Sequence, residues 1–173
     1  MASIVVAGDT SGTITIAAPA VAGTTTLTLP ASTGTIQIGG PAFSYYQSTA
    51  QTSIANGTFT KLTFTSSDYD NTSGMYASSK FTPTLQGYYQ LVFAVNPSLA
   101  GLITIYKNGV RYKDGSCAAT NNTGSTSVGS IVAYANGSSD YFEIYYIQYQ
   151  GSPAQTYANS FGTYFQGIYL RGA

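Results

Sequence analysis

Oxygen-bearing side chains are concentrated in one short stretch, Asp68-Tyr69-Asp70-Asn71. Carboxylate and amide oxygens are the ligands that Ca²⁺ prefers, so Asp68, Asp70 and Asn71 form a candidate calcium site. The ligand spacing of a helix–loop–helix calcium loop is missing, and tetrapeptides rich in Asp and Asn usually form turns. We therefore expect no cofactor, with Ca²⁺ at these three residues as the alternative.

The other acidic residues lack the partners that catalysis requires. The chain contains six Asp and Glu residues and no His, which excludes a Ser-His-Asp triad and an imidazole zinc site. Glycoside hydrolysis would need a pair of carboxylates at a fixed separation, and no motif supports such a pair. The single cysteine, Cys117, has no His to activate it. The sequence predicts a protein that is not an enzyme.

Charge is scarce along the whole chain of 173 residues. Charged residues make up 7% of the sequence, compared with about 25% in an average domain. Six scattered Lys and Arg residues cannot form the basic surface that a phosphate backbone requires, so no nucleic-acid partner is expected. No apolar run approaches the roughly 18 residues of a membrane-spanning helix, so no membrane partner is expected either.

The pattern of residues 41–173 predicts one all-β domain. Short segments rich in Val, Ile, Tyr and Phe alternate with turn residues, and no segment shows a helical apolar stripe. Asn-Gly pairs at 56–57, 108–109 and 136–137 are typical of tight hairpin turns. The predicted strands are 42–46, 58–64, 80–82, 88–95, 102–107, 110–113, 127–135, 141–149 and 161–170.

Residues 1–40 are predicted to form a separate N-terminal arm of short strands. The segments 4–6, 12–16, 25–29 and 34–38 alternate apolar residues with Thr and are separated by Gly and Pro. Strands this short cannot form a core alone, so the arm needs a partner, which is either another copy of itself or a separate protein surface to which it anchors the protein. An alternative is that these strands join the main sheet. The predicted anchoring side chains are Ile14, Ile16, Leu27, Leu29, Ile36 and Ile38.

Several strands of the domain are apolar on both faces, which favours contact between subunits. In the segment 141–149, one face carries three apolar side chains and the other carries four. A monomeric antiparallel sheet normally has one polar face, so we expect a homo-oligomer, with solvated Tyr side chains as the alternative. We expect Glu143 to pair there with Arg111, Lys113 or Arg171. The predicted interface residues are Tyr88, Phe93, Tyr141, Phe142, Tyr145, Ile147, Tyr164 and Tyr169.

Five motifs occur in a characteristic order in residues 42–173. They are Asn71–Pro83, Gly87-Tyr-Tyr-Gln-Leu91, Lys107-Asn-Gly109, Asp140-Tyr-Phe-Glu-Ile144 and Ser160–Leu170. In this order they resemble the trimeric jelly-roll domain of the complement globular-head and tumour-necrosis-factor-like superfamily. The resemblance implies an antiparallel jelly-roll sandwich that assembles as a homotrimer. Three residues depart from the pattern of that superfamily, namely Lys80, Leu91 and Ser139. These departures affect the expected structure of the loops more than the expected fold.

The arm resembles a different group of proteins. The segment from Gly12 to Ile36 is similar to segments in structural proteins of tailed bacteriophages, including fibres and capsid-associated proteins. This implies a virion surface protein whose arm binds the major capsid protein or another virion protein. The expected function is a trimeric capsid decoration (cement) protein on the capsid exterior. The alternative is a head or tail fibre knob that binds a host receptor or glycan, with Tyr112, Tyr149 or Tyr157 stacking on the sugar. The chain has no heptad run or long shaft, which favours decoration.

Overall fold

The computed structural model of the chain describes residues 3–7, 10–17, 39–118 and 125–173, together with residues 20, 21, 23, 24 and 26. The chain forms two compact units, Met1–Thr35 and Ile36–Ala173. Most of the arm strands predicted at 25–29 and 34–38 lies outside the described residues, and so do the predicted anchoring residues Leu27, Leu29, Ile36 and Ile38.

The described part of the N-terminal unit contains an antiparallel hairpin of β1 (Ser3–Ala7) and β2 (Thr13–Ala17). Both strands are rich in Ile, Val and Thr, whose branched side chains favour extended backbone. Gly12, with φ of +81°, precedes β2 and adopts a conformation that suits glycine. The strands predicted at 4–6 and 12–16 are therefore confirmed.

The second unit is a sandwich of two antiparallel sheets. Its strands are β3 (Ala42–Tyr46), β4 (Thr60–Lys61), β5 (Ser66–Asp70), β6 (Tyr76–Ala77), β7 (Lys80–Phe81), β8 (Gly87–Val95), β9 (Gly101–Lys107), β10 (Val110–Ala118), β11 (Ser127–Ala135), β12 (Phe142–Gln148) and β13 (Tyr164–Arg171). The five-stranded sheet has the order β11-β8-β13-β3-β5. The six-stranded sheet has the order β10-β9-β12-β7-β6, and β4 also pairs with β12. The described residues contain no helix, so the all-β jelly-roll prediction is confirmed.

Two strands were not predicted, and the lengths of others differ. β5 coincides with the acidic stretch that was expected to form a turn, and β6 is a two-residue strand beside β7. Of the segment predicted as a strand at 58–64, only the two residues of β4 form one. The strand predicted at 110–113 is longer than expected and continues to Ala118. β10 is irregular in its pairing with β9, and such bulges interrupt the alternation that sequence analysis relies on.

Aromatic side chains fill the space between the sheets. Six of the eight Phe residues are buried, and all of them belong to the core between the two sheets. The rings of Phe43 and Phe165 meet edge to face with 5.1 Å between centroids, and those of Phe81 and Tyr89 do so at 5.3 Å. Such pairs add to the free energy gained by burying the rings. The inward faces of both sheets are therefore occupied by residues of the same chain.

Asp140 joins two turns at one end of the six-stranded sheet. Its Oδ1 accepts a hydrogen bond of 2.7 Å from Asn108 Nδ2, and its Oδ2 lies 2.9 Å from Lys107 Nζ and accepts from the backbone N–H of Asn136. Burial alone would raise the pKa of Asp140, but the hydrogen bonds from Asn108 and Lys107 outweigh it and hold this pKa below its ordinary value. The ionised carboxylate therefore stabilises the folded state.

We expect Asp140→Asn to lower the free energy of unfolding at pH 7 by about 2 kcal/mol, because charge-assisted hydrogen bonds are lost. A carboxyl whose pKa is lower in the folded state stabilises above its unfolded pKa, and this contribution disappears as the pH falls through the folded pKa. The difference between the variant and the wild type should therefore shrink below about pH 4. Urea unfolding at pH 7 and pH 3 measures both values. Asp114→Asn, which breaks the exposed Arg111–Asp114 pair, is the matched control with a smaller effect. Equal losses in both variants would contradict the role given to Asp140.

Candidate functional site

The outward side of the five-stranded sheet carries a group of exposed apolar side chains, which we call the apolar face. β8 and β11 contain no charged residue, and the one in β13, Arg171, has its guanidinium 4.8 Å from the ring centre of Tyr88. The apolar face consists of Tyr69, Val92, Val128, Val132, Ile168 and Leu170, and all except the partly buried Val92 are between 41% and 59% exposed.

Side chains alternate between the two sides of each strand, and this alternation in three adjacent strands places the central residues of the apolar face side by side. Val132 in β11 and Ile168 in β13 both pair with Gln90 in β8, so they lie in one row across the sheet. A shallow cleft of about 230 Å³ opens beside this row, between Tyr69 of β5 and Gln166 of β13. Gln90 lies between Val132 and Ile168 in this row, and exposed apolar side chains grouped in this way, with a few polar groups among them, are typical of protein–protein contact sites.

The six-stranded sheet differs sharply from the five-stranded sheet in charge. Seven of the twelve charged residues of the chain lie on its strands, namely Lys61, Lys80, Lys107, Arg111, Lys113, Asp114 and Glu143. Its outward side also carries stacked rings of Tyr106 and Tyr145, whose centroids are 4.0 Å apart. Polar and aromatic groups that already contact one another suit a solvated surface.

Glu143 is satisfied within its own chain. Its Oε1 lies 2.7 Å from Nζ of Lys61, a residue of β4, which pairs with the strand β12 that contains Glu143. The hydroxyl oxygen of Tyr145 is 3.4 Å from Oε2 of Glu143. The expected pairing with Arg111, Lys113 or Arg171 at a subunit interface is therefore wrong. Sequence analysis missed Lys61 because 82 residues separate it from Glu143.

The predicted interface residues are not gathered on one surface. Phe93 and Phe142 are fully buried in the core of the chain itself, and Ile147 and Tyr169 are 4% and 8% exposed. These four side chains leave a neighbouring subunit nothing to contact, which corrects the expectation at these positions. Of the other four, Tyr88 and Tyr164 are on the side of the apolar face, whereas Tyr145 belongs to β12 of the opposite sheet and Tyr141 directly precedes that strand. An interface through Tyr88 and Tyr164 remains a prediction.

The candidate calcium ligands are engaged in holding β5 against β3. Asp68 Oδ2 accepts from Ser44 Oγ at 3.0 Å, and Asp70 Oδ2 accepts from Tyr45 Oη at 2.7 Å. Asn71 Oδ1 accepts from the backbone N–H of Ala42 at 2.5 Å. Among the described residues, no three His, Cys, Asp or Glu side chains lie close enough together to hold a metal ion. These bonds also explain why the stretch is a strand and not the expected turn.

The hairpin of the N-terminal unit has one entirely apolar side, which we call the hairpin face. Ile4 pairs with Ile16 and Val6 with Ile14, and these four side chains are between 53% and 70% exposed. The opposite side carries Val5, Thr13 and Thr15 together with small residues. The hairpin thus has apolar surface but no partner within its described unit.

Comparison with known structures supports the fold. The globular domain of zebrafish complement 1qA protein superposes with a TM-score of 0.60 and 19% identity, covering 77% of this chain and 99% of that one. Murine APRIL superposes with a TM-score of 0.53 and 11% identity, covering 76% and 99%. The resemblance seen in the sequence is thus confirmed as a shared jelly-roll fold. No family model and no curated protein matches the chain.

Proposed function

We propose that the protein is a non-enzymatic structural component of a virion surface, a homotrimeric capsid decoration protein that its N-terminal arm anchors to the capsid. The observation that carries this proposal is the exposed hairpin face, which belongs to a different compact unit from the jelly-roll domain of residues 41–173, here called the knob. No helix in the described part of the chain is long and apolar enough to cross a membrane.

The hairpin face requires a partner for energetic reasons. A lone two-stranded hairpin is at best marginally stable in water. Burying a Val or Ile side chain contributes roughly 1.5–3 kcal/mol, so docking four of them would give substantial anchoring energy. β1 and β2 contain no charged residue, which suits docking against an apolar or strand-edge surface of a large assembly.

The apolar face supports self-association of the knob. Its exposed Val, Ile and Leu side chains would be removed from water by a second copy, while the charged sheet would stay solvated. The number of three copies rests on the resemblance to the trimeric superfamily. A closed symmetric ring would present several arms to the capsid at once, which raises the effective concentration of each arm after the first has bound.

Removal of residues 1–40 is expected to abolish capsid binding while leaving a soluble oligomeric knob. The double variant Val6→Asp/Ile14→Asp should do the same in the full chain, because it places two carboxylates on the hairpin face. Thr13→Asp/Thr15→Asp, on the other side of the hairpin, is the matched control and should retain at least part of the binding. Co-sedimentation with capsids that lack the protein measures the bound fraction.

A truncated knob that still coats capsids would show that the arm is not the anchor. Immunogold labelling of intact virions separates this proposal from a fibre knob that binds a host receptor or glycan. We expect label over the head; label confined to the tail, together with adsorption of the purified protein to host cells, would replace decoration by receptor binding.

A further inference from the structure

We propose that a cleft at the open edge of the sandwich binds a neutral saccharide unit. This edge cleft lies between Tyr45 of β3, residues 64–65 just before β5, and residues 76–79 of the β6–β7 hairpin. Its volume is about 310 Å³, at the lower end of the range of small-molecule sites. The inference concerns the knob alone and is independent of the arm and of the proposed function.

One wall of the edge cleft is aromatic. The rings of Tyr45 and Tyr76 are stacked with 3.8 Å between centroids and 16° between planes. Both rings line the cleft; Tyr76 is buried and Tyr45 half-buried, so Tyr45 offers more of its surface to a ligand. The apolar C–H side of a pyranose ring packs on such surfaces, while its hydroxyls remain available for hydrogen bonds.

Asp70 holds this wall in place and keeps it uncharged. Tyr45 Oη donates to Asp70 Oδ2 at 2.7 Å, and Asp70 Oδ1 accepts from the backbone N–H of Thr72 at 2.7 Å. Burial and the neighbouring carboxylate raise the pKa of Tyr45 to about 12, so its hydroxyl stays protonated as a donor. The ring orientation therefore exists before any ligand arrives, which reduces the entropy lost on binding.

The turn Ser78-Ser79 also lines the edge cleft, and both of its residues adopt left-handed backbone with φ of +52° and +55°. Two-residue hairpin turns of this kind usually contain Asn-Gly, because other residues are strained there. Ser79 has a structural role, since its Oγ accepts from the N–H of Phe64 at 2.8 Å and donates to the carbonyl of Phe64 at 3.3 Å.

Ser78 has no comparable role. Its hydroxyl makes no hydrogen bond to any residue in the described ranges, although its carbonyl accepts from Lys61 Nζ at 3.1 Å. Glycine would adopt the same φ at lower cost. The Ser78 side chain is exposed, so its hydroxyl, which the turn holds at the cleft, can exchange solvent for the hydroxyl of a ligand.

The charges around the edge cleft favour a neutral ligand over an anionic one. No charged side chain lines the cleft. Two cations belong to the segments near the turn: Lys61 is paired with Glu143 and with the carbonyl of Ser78, and Lys80 Nζ lies 4.9 Å from the ring centre of Tyr141. A carboxylate or phosphate entering the cleft would lose hydration without meeting a cation among the lining residues. This selects uncharged sugars such as glucose, galactose, mannose or N-acetylglucosamine.

The proposal is tested by ligand-observed NMR and by chemical-shift titration of the full chain with these four sugars. Glucuronate, the charged counterpart of glucose, is titrated in the same way. We expect at least one neutral sugar to bind with a Kd of about 1 mM, typical of a single small polar ligand, and glucuronate to bind more weakly than glucose. Tyr45→Ala should abolish binding because it removes the exposed ring of the aromatic wall.

Ser78→Gly is the decisive variant because it should not impair folding. It relieves the strain and should raise the melting temperature, yet weaken sugar binding about fivefold through the loss of one hydrogen bond. Ser73→Gly relieves the same strain at φ of +55° outside the edge cleft and should leave sugar affinity unchanged. Failure of all four sugars to bind, tighter binding of glucuronate, or an unchanged affinity in Ser78→Gly would overturn the proposal. Capsid binding by Ser78→Gly should be normal, which separates this result from the function of the arm.

Discussion

The double variant Val132→Asp/Ile168→Asp is expected to convert the oligomer into a monomer while the knob remains folded. Both side chains lie in the central row of the apolar face, on either side of Gln90, and are 59% and 49% exposed. In the monomer the new carboxylates would face water at little cost. In an oligomer they would be buried against apolar surface without a cation, so association should weaken by at least about 100-fold. Sedimentation equilibrium measures the mass, which should fall from three copies to one.

The matched control places two carboxylates on the opposite sheet. The control is the double variant Val110→Asp/Tyr149→Asp, whose two side chains are 69% and 65% exposed and correspond to Val132 and Ile168 in the test variant. Because the proposed contact leaves that sheet in solvent, this variant should keep the mass of the wild type. A wild-type monomer, or a control that dissociates as readily as the test variant, would show that the apolar face is not the contact surface.

The apolar face also explains what the sequence could and could not predict. Two-sided apolar strands predicted contact between subunits, but they did not indicate which side was covered by the same chain. Phe142 faces inward, and Ile147 on the outward side of the same strand is still only 4% exposed. Alternation cannot reveal such local cover, because the covering residues come from elsewhere in the chain.

The strands themselves were largely predictable, with one instructive exception. β8 and β11 follow the Val, Ile and Tyr pattern closely, whereas β5 is made of Ser, Asp and Tyr. Asp and Ser are poor strand formers, yet side-chain bonds from Ser44 and Tyr45 of β3 hold the segment at the sheet edge. Tertiary contacts therefore override the local preference of these residues for a turn, which is all that a single sequence reveals.

The edge cleft was beyond the reach of sequence patterns for a related reason. Its walls come from three segments, represented by Tyr45, Thr65 and Ser78, which have no common spacing motif. The one available signal was the Ser78-Ser79 pair between two short apolar segments, where a tight turn would normally contain Gly or Asn.

Gly129→Ala is expected to lower the free energy of unfolding by about 3 kcal/mol, at the upper end of the cost of overpacking a core. Gly129 of β11 lies directly opposite Phe93 of β8, and a Cβ at this position would overlap the Phe93 ring. Phe93 is fully buried and cannot move aside without disturbing the sandwich. Chemical denaturation measures the change.

A double-mutant cycle isolates this steric cause. Phe93→Leu removes part of the ring that the new methyl group would overlap, so Gly129→Ala should cost much less in the Phe93→Leu background than in the wild type. Gly39→Ala is the matched glycine control, because an added Cβ there meets no atom within 4 Å, and it should be neutral or slightly stabilising. Strictly additive losses in the cycle would mean that Gly129 is required for a reason other than the close approach of Phe93. A coupling of about 1 kcal/mol or more would establish that the inward packing of one ring sets the residue type on the neighbouring strand.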